Sequence, residues 1–184
     1  MTPSVVLFDA GGTLFTERES RPATYAKVLA AHGVPVDEAR VGRLLHEVHD
    51  AMPGVFAGGP RYTPSWFREF VRRILAALQA TADADAEAVR ADLAARFTRP
   101  EHFVVFADVP DALDELLVRG ARLGIVSNWS DHLPALLQGL SLARYFEDVT
   151  VSALVGREKP DRGLFEHALA RFDVTAGQDA GSAP

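Results

Sequence analysis

Apolar positions along this chain follow two patterns. The first is a short unbroken run. Val5-Val6-Leu7-Phe8 leads straight into Asp9-Ala10-Gly11-Gly12-Thr13-Leu14, and Leu123-Gly124-Ile125-Val126 leads into Ser127-Asn128. Runs without alternation predict strands buried on both faces, as in a parallel sheet. The second pattern is the helical stripe, which dominates residues 16–100. A helix is expected over 24–32, stopped by Gly33 and Pro35. Asp37 can cap the next, with Val41, Leu44, Leu45 and Val48 on one face. Met52-Pro53-Gly54 and Gly58-Gly59-Pro60 break the chain. Thr63-Pro64 opens a third helix with Phe67, Phe70, Val71, Ile74, Leu75 and Leu78 as its stripe. Val89, Leu93 and Phe97 mark a fourth, and the Ala/Asp-rich stretch 81–95 reads as a solvated helix. No strand run interrupts this block, so it predicts an all-α insert.

After Pro100 strands and helices alternate. Pro110 and Asp111 open a helix through Leu113, Leu116 and Leu117, ended by Gly120. The strand before Ser127 follows, then a helix over 133–140. A third strand is expected within 146–152. Gly156-Arg157-Glu158-Lys159-Pro160 reads as a loop, and 161–171 as a helix with Leu164, Phe165, Ala168 and Leu169 inward. Strand, helix, strand, helix, strand predicts a right-handed parallel α/β arrangement.

Composition narrows the classes. With 184 residues, 48% of them hydrophobic, the chain can bury one domain, or a core domain with an insert. A net charge of −6 argues against nucleic acid or an anionic membrane as partner. No stretch approaches the roughly 18 apolar residues of a membrane span. The N-terminal run is short and lacks a basic flank, so no signal peptide is expected. Cysteine is absent, which excludes disulfides, thiolate metal sites and a cysteine nucleophile. The expectation is a soluble, cytoplasmic protein.

Asp9 falls at the carboxyl end of a strand, where open α/β sheets bind ligands. Gly11 and Gly12 permit a tight turn whose amides could hold an anion. A carboxylate aimed into such a turn can act as a nucleophile; otherwise Asp9 is a solvated loop residue. Ser127 ends its strand as Asp9 does, and could bond a phosphoryl oxygen or simply sit in a Ser-Asn turn. Lys159 precedes a proline, which restricts its backbone. It could neutralise a bound phosphate or lie free on a loop. His46, His49 and Asp50 could share a helix face as metal ligands. With no fourth ligand nearby, an ordinary polar face is expected.

Taken together, Asp9 with Gly12-Thr13-Leu14, Ser127-Asn128 and Lys159-Pro160 resemble the motifs of the haloacid dehalogenase superfamily of hydrolases. The stretches Leu-Gly-Ile-Val-Ser-Asn, Leu-Pro-Ala-Leu-Leu, Tyr-Phe-Glu-Asp and Val-Gly-Arg-Glu-Lys-Pro-Asp are similar in order to its phosphatase-like members. The resemblance covers nearly the whole chain, more weakly in the helical block, which looks like the family's α-helical cap. It implies an α/β fold, a Rossmann-like three-layer parallel sheet in residues 1–15 and 101–184, with the cap over 16–100. It further implies Asp9 as the nucleophile and an aspartyl-phosphate intermediate. Mg2+ would bridge Asp9, the Gly11 carbonyl and the phosphate. Gly12, Thr13, Ser127 and Asn128 would hold phosphate oxygens by backbone and side-chain donors, and Lys159 would offset the negative charge. The partner is then a small phosphorylated substrate, over which the cap would close.

Two departures matter. The family's phosphatases usually carry a second aspartate, the general acid–base, two residues past the nucleophile. Here that position is Gly11. Alkyl phosphates should therefore be poor substrates, and Gly11→Asp should raise activity on them more than on aryl phosphates. The family's dehalogenases also lack that aspartate, since a halide leaves without a proton. The phosphatases also have a fourth motif, Gly-Asp followed by another aspartate, which supplies magnesium ligands. Gly177-Gln178-Asp179 only echoes it, in a small polar stretch over 175–184. The expectation is a C-terminally truncated core with Val5–Phe8 at the sheet edge, prone to self-association, and a weak magnesium site. Three readings stay open: a Mg-dependent phosphatase, a metal-free 2-haloacid dehalogenase-like hydrolase, and an inactive remnant that binds a phospho-ligand or a protein. The second would want an arginine for the substrate carboxylate, and Arg21, Arg68 and Arg72 are available.

Overall fold

The computed structural model describes residues 5–80 and 84–174. In chain order the elements begin with β1 (Val5–Phe8), β2 (Phe15–Glu17), α1 (Arg21–Ala31) and α2 (Glu38–Ala51). Then come β3 (Val55–Phe56), β4 (Gly59–Pro60), α3 (Pro64–Ala77), α4 (Ala86–Thr98) and β5 (Phe103–Val105). The last group is α5 (Val109–Val118), β6 (Arg122–Ser127), α6 (Leu133–Gly139), β7 (Asp148–Val151), α7 (Ser152–Val155) and α8 (Arg162–Ala170). The chain divides into two compact units, residues 1–16 with 105–184, and residues 17–104. The two chain crossings fall in β2 and β5, which pair as a two-stranded ribbon. Each of these strands is only three residues long, too short to show as a run in the sequence.

The α/β unit is built on a parallel sheet of order β1-β6-β7. Val5 to Phe8 pair with Arg122 to Ile125, and Gly124 to Ser127 pair with Asp148 to Val151. Among the described residues β1 pairs with β6 alone. The central strand β6 is buried from Leu123 to Ser127. Its Gly124 is forced by packing. A Cβ there would lie 2.7 Å from Phe172 Cζ and 2.9 Å from Leu7 Cδ2, so only glycine lets both side chains close over the strand. Arg122 completes this clamp, stacking 4.9 Å over the Phe172 ring and donating to the Phe172 carbonyl at 2.9 Å. Asp161 caps α8 by accepting from the Gly163 amide at 2.7 Å, and Leu164 and Ala168 then pack with Val126.

The helical unit follows the apolar stripes closely. Asp37 caps α2 through the Arg40 amide at 2.8 Å, and Thr63 caps α3 with Pro64 in the first turn. Tyr25, Leu29, Val41, Phe70, Ile74 and Leu93 share one buried core. Three differences from the sequence expectation have local causes. Helix α1 begins earlier, at Arg21, because the Ser20 hydroxyl accepts from the Ala23 amide and Pro22 occupies the first turn. Helix α4 begins only at Ala86, where Asp85 accepts from the Glu87 and Ala88 amides; residues 81–83 lie outside the described residues. The block is also not all α. Ala57 and Gly58 both take positive φ, 50° and 79°, which closes the two-residue hairpin β3–β4.

Candidate active site

The parallel register decides which ends meet. Phe8 lies opposite Ile125, so Asp9 and Ser127 emerge on the same edge of the sheet. Asp9 Oδ1 accepts three donors: the Ala10 amide at 2.8 Å, Ser127 Oγ at 2.8 Å and Lys159 Nζ at 2.9 Å. Lys159 arrives from the loop after α7, which ends at Gly156 in the left-handed conformation. The Asn128 side chain holds that loop from both sides. Its Oδ1 accepts from the Lys159 amide at 2.7 Å, and its Nδ2 donates to the Lys159 carbonyl at 3.1 Å. The Lys159–Pro160 peptide is cis. Partial burial alone would raise the pKa of Asp9. The hydrogen bonds from Lys159, Ser127 and Ala10, with the charge of Lys159, outweigh burial and hold the carboxyl below its ordinary 3.8. Asp9 is therefore a carboxylate at neutral pH, with 43% of its side chain open to solvent.

Part of the phosphate-binding set expected from sequence is engaged in hydrogen bonds within the protein. The Gly12 amide donates to the Phe15 carbonyl at 2.8 Å, with Gly12 at φ 77°. The Thr13 amide donates to the Ala10 carbonyl at 3.3 Å, and the Leu14 amide to the same carbonyl at 2.8 Å. These amides close the turn after Asp9 and are not open donors for an anion. The Thr13 side chain is exposed beside them. The Asn128 side-chain amide, expected on the phosphate, is bonded to the backbone of Lys159. That pair of bonds fixes the Lys159 backbone, while Ser127 Oγ donates directly to Asp9.

One residue of the site has no signal in the sequence pattern. Trp129 follows Asn128, and its ring packs edge-on to Phe15 at 5.7 Å. Its backbone is fixed by the buried Ser152 at the start of α7. Ser152 Oγ accepts from the Trp129 amide at 3.1 Å and donates to its carbonyl at 3.3 Å. The indole lies against Gly11, where an added Cβ would come within 2.5 Å of it. An aspartate at position 11 would require the indole to move.

Among the described residues the donor set does not make up a protein-built magnesium centre. Asp9 is the one carboxylate of the turn, its Oδ1 is already compensated by Lys159, and the described residues contain no group of three His, Asp or Glu placed to hold a metal. Magnesium demands near-octahedral oxygen coordination, and Asp9 with the Gly11 carbonyl would supply only two of those oxygens. Asp179, the weak echo of a fourth motif, lies outside the described residues. In the helical unit, the His49 ring packs on Trp66 at 5.9 Å, and its Nδ1 sits 3.5 Å from Asp50 Oδ1. Arg21, Arg68 and Arg72 each face a carboxylate, respectively Glu17, Glu87 and Glu69.

Comparison with known proteins places these motifs in one family. Residues 3–180 match the haloacid dehalogenase-like hydrolases. Haloacid dehalogenase-like hydrolase domain-containing protein 3 of Homo sapiens is 30% identical over 175 residues, covering 90% of this chain and 67% of that protein. Phosphoglycolate phosphatase of Rhodospirillum rubrum is 31% identical over 186 residues, 96% of this chain and 69% of that one. Among solved structures, a putative beta-phosphoglucomutase from Thermotoga maritima superposes with a TM-score of 0.68 at 20% identity, covering 94% of this chain and 72% of the other. A HAD phosphatase from Thermococcus onnurineus gives 0.60 at 23%, covering 96% and 74%. At these identities the structural matches speak for the fold. The sequence match along nearly the whole length carries more: the chain belongs to the haloacid dehalogenase-like hydrolase family.

Proposed function

We propose that this chain is a phosphohydrolase that acts on small phosphate esters through Asp9. The observation that carries this reading is the convergence of Ser127 Oγ, Lys159 Nζ and the Ala10 amide on one oxygen of a solvent-accessible carboxylate. That arrangement keeps Asp9 ionised and fixes its direction, which is what a nucleophile requires. Asp9 attacks phosphorus, the bond from phosphorus to the leaving oxygen breaks, and the leaving group takes the electron pair. Water then attacks the aspartyl-phosphate. Its phosphorus–oxygen bond to Asp9 breaks, which restores the carboxylate and releases inorganic phosphate. Lys159 offsets charge on nucleophile and phosphoryl group in both steps, and Asn128 sets where the ammonium stands. Phosphatases of the family generally use Mg2+. The described residues alone do not make up a site for that ion.

A second reading has one observation in its favour. The turn carries Gly11 where a proton donor would stand, and carbon–halogen displacement needs no proton. The same assay separates the two. Asp9→Asn is nearly isosteric and should keep the native circular dichroism spectrum. The parent should hydrolyse p-nitrophenyl phosphate and release no chloride from 2-chloropropionate, while the variant should turn over neither. Chloride release by the parent selects the second reading. No turnover of either substrate by the parent selects the inactive remnant over both enzymatic readings, and an Asn variant as fast as the parent on p-nitrophenyl phosphate removes Asp9 as nucleophile.

A further inference from the structure

A narrow pocket opens inside the helical unit, where the chain enters and leaves it. One wall comes from residues 17–24, running from the end of β2 into α1. The other comes from residues 96–102, running from the end of α4 towards β5. The two stretches are joined by their backbones. The Arg18 amide donates to the His102 carbonyl at 2.8 Å, and Arg18 Nε donates to the Glu101 carbonyl at 3.0 Å. The pocket leaves the centre of a water-sized group about 20 Å³ in which to move. That exceeds the roughly 10–15 Å³ that one water needs, so the space can be filled.

The lining calls for a negatively charged occupant. Thr24 is only 7% exposed, and its amide donates to the Ser20 carbonyl at 3.0 Å. Its hydroxyl lines the pocket and has no hydrogen-bond partner among the described residues, although a hydroxyl so buried ordinarily has one. Arg96 also lines the pocket and makes no hydrogen bond or ion pair among the described residues. The two carboxylates of the wall are already met by other cations, Glu17 by Arg21 and Glu19 by Lys27. The hydrogen bond from Lys27 is the main cause that lowers the pKa of Glu19, and Arg96 and His102 add weaker pulls from across the pocket. The charges of Arg18 and Arg96 are therefore in excess. Phe97 supplies a fixed apolar wall, with Arg21 at 5.5 Å from its ring and Tyr25 at 5.7 Å.

We propose that this pocket binds an oxyanion group, a phosphate or a carboxylate, held by the Thr24 hydroxyl and the Arg96 guanidinium. A guanidinium can meet two oxygens of such a group at once, and the hydroxyl can donate to another. The bound group ties α1 to α4, and so joins the stretch that enters the helical unit to the stretch that leaves it. None of these residues belongs to the Asp9 site, so the inference stands or falls apart from the reading of Asp9 as nucleophile.

Amide-resolved NMR of the full chain tests this. The protein is titrated with inorganic phosphate, with acetate and with sodium chloride at matched ionic strength. The Thr24 and Phe97 amides report the pocket, and the Ala10 and Ser127 amides report the Asp9 site. Phosphate or acetate should move the Thr24 and Phe97 signals along a saturating curve, and the tighter of the two identifies the group the pocket takes. Thr24→Val and Arg96→Gln should each weaken that curve, the second by about tenfold or more. Neither should alter the response at Ala10 and Ser127, and the signals of α2 and α3 should superpose on the parent's. Either variant suffices if the other fails to fold. Movement at Ala10 and Ser127 alone overturns the proposal. So does a response at Thr24 and Phe97 that chloride reproduces, which is charge screening only, or one that both variants leave unchanged.

Discussion

In the helical unit several charged side chains find partners within one helical turn. Arg72 and Arg73 both bond Glu69 at 2.7 Å, three and four residues away, and Arg90 bonds Glu87 across one turn. Around Asp9 in the α/β unit the partners come from afar. Ser127 reaches Asp9 across 118 residues of sequence, and Asn128 reaches Lys159 across 31. Both regions depress a carboxyl pKa, by different routes. Arg72 first, then Arg73, hold Glu69 at about 2 against its burial. At Asp9 burial is the largest influence and works the other way, overcome only by three converging donors. Helix geometry pairs neighbours at i+3 and i+4 and spreads charge over a surface. A parallel sheet brings the ends of distant strands to one edge, so its charges collect. The helical unit is stabilised by its apolar core, and the α/β unit is organised around a polar convergence.

Substitutions can break this contrast. The largest expected effect is in the helical core. Ile74 is 1% exposed in the cluster shared by the four helices. Ile74→Ala should cost about 2–5 kcal/mol in urea unfolding, and a loss well under 1 kcal/mol would show a core that collapses around the gap. Next comes Asn128→Ala, which frees the Lys159 backbone while leaving Asp9, Ser127 and Lys159 in place. Displaced positioning should lower kcat by roughly 10- to 100-fold. It should also move the acid limb of the pH–rate profile. The folded pKa of Asp9 lies below 3.8, so the nucleophile stays ionised as pH falls past that value. A loosened Lys159 lets the pKa rise, and the limb shifts to higher pH. An unshifted limb with reduced kcat would assign Asn128 to another role. The smallest effect should be at the surface of the α/β unit, where Arg162 pairs with Glu166 at 2.8 Å and is 82% exposed. Arg162→Ala should change stability by no more than about 0.5 kcal/mol; a larger loss would mean that this unit depends on its surface pairs.

What can be read from the residues alone divides along the same line. Helices α2 and α3 are legible down to Asp37 and Thr63-Pro64, because caps and apolar stripes act within a turn or two of the chain. Strands β1 and β6, and with them Asp9 and Ser127 at their ends, are legible because an unbroken apolar run marks a strand of a parallel sheet, although only β6 is fully buried and β1 is half-buried. Lys159 is marked by the proline after it and by the resemblance to a known set of motifs. The hairpin β3–β4 and the ribbon of β2 and β5 are not legible, since strands of two or three residues show no period.

Tertiary structure alone decided how the site is wired. The bare sequence leaves the Gly12 and Thr13 amides open to an anion, and only the fold of the turn brings the Phe15 and Ala10 carbonyls to them. Asn128 reads as a ligand-binding amide until the loop carrying Lys159 is seen to cross it. Trp129 stands in no pattern, and its place over Gly11 follows from β1 and β6 lying side by side. Hydrophobic periodicity and capping are local free energies, so the sequence determined the elements and the residues at their ends. Which donor meets which acceptor, and which ring fills which gap, depends on contacts between distant segments that exist only once the sheet has formed.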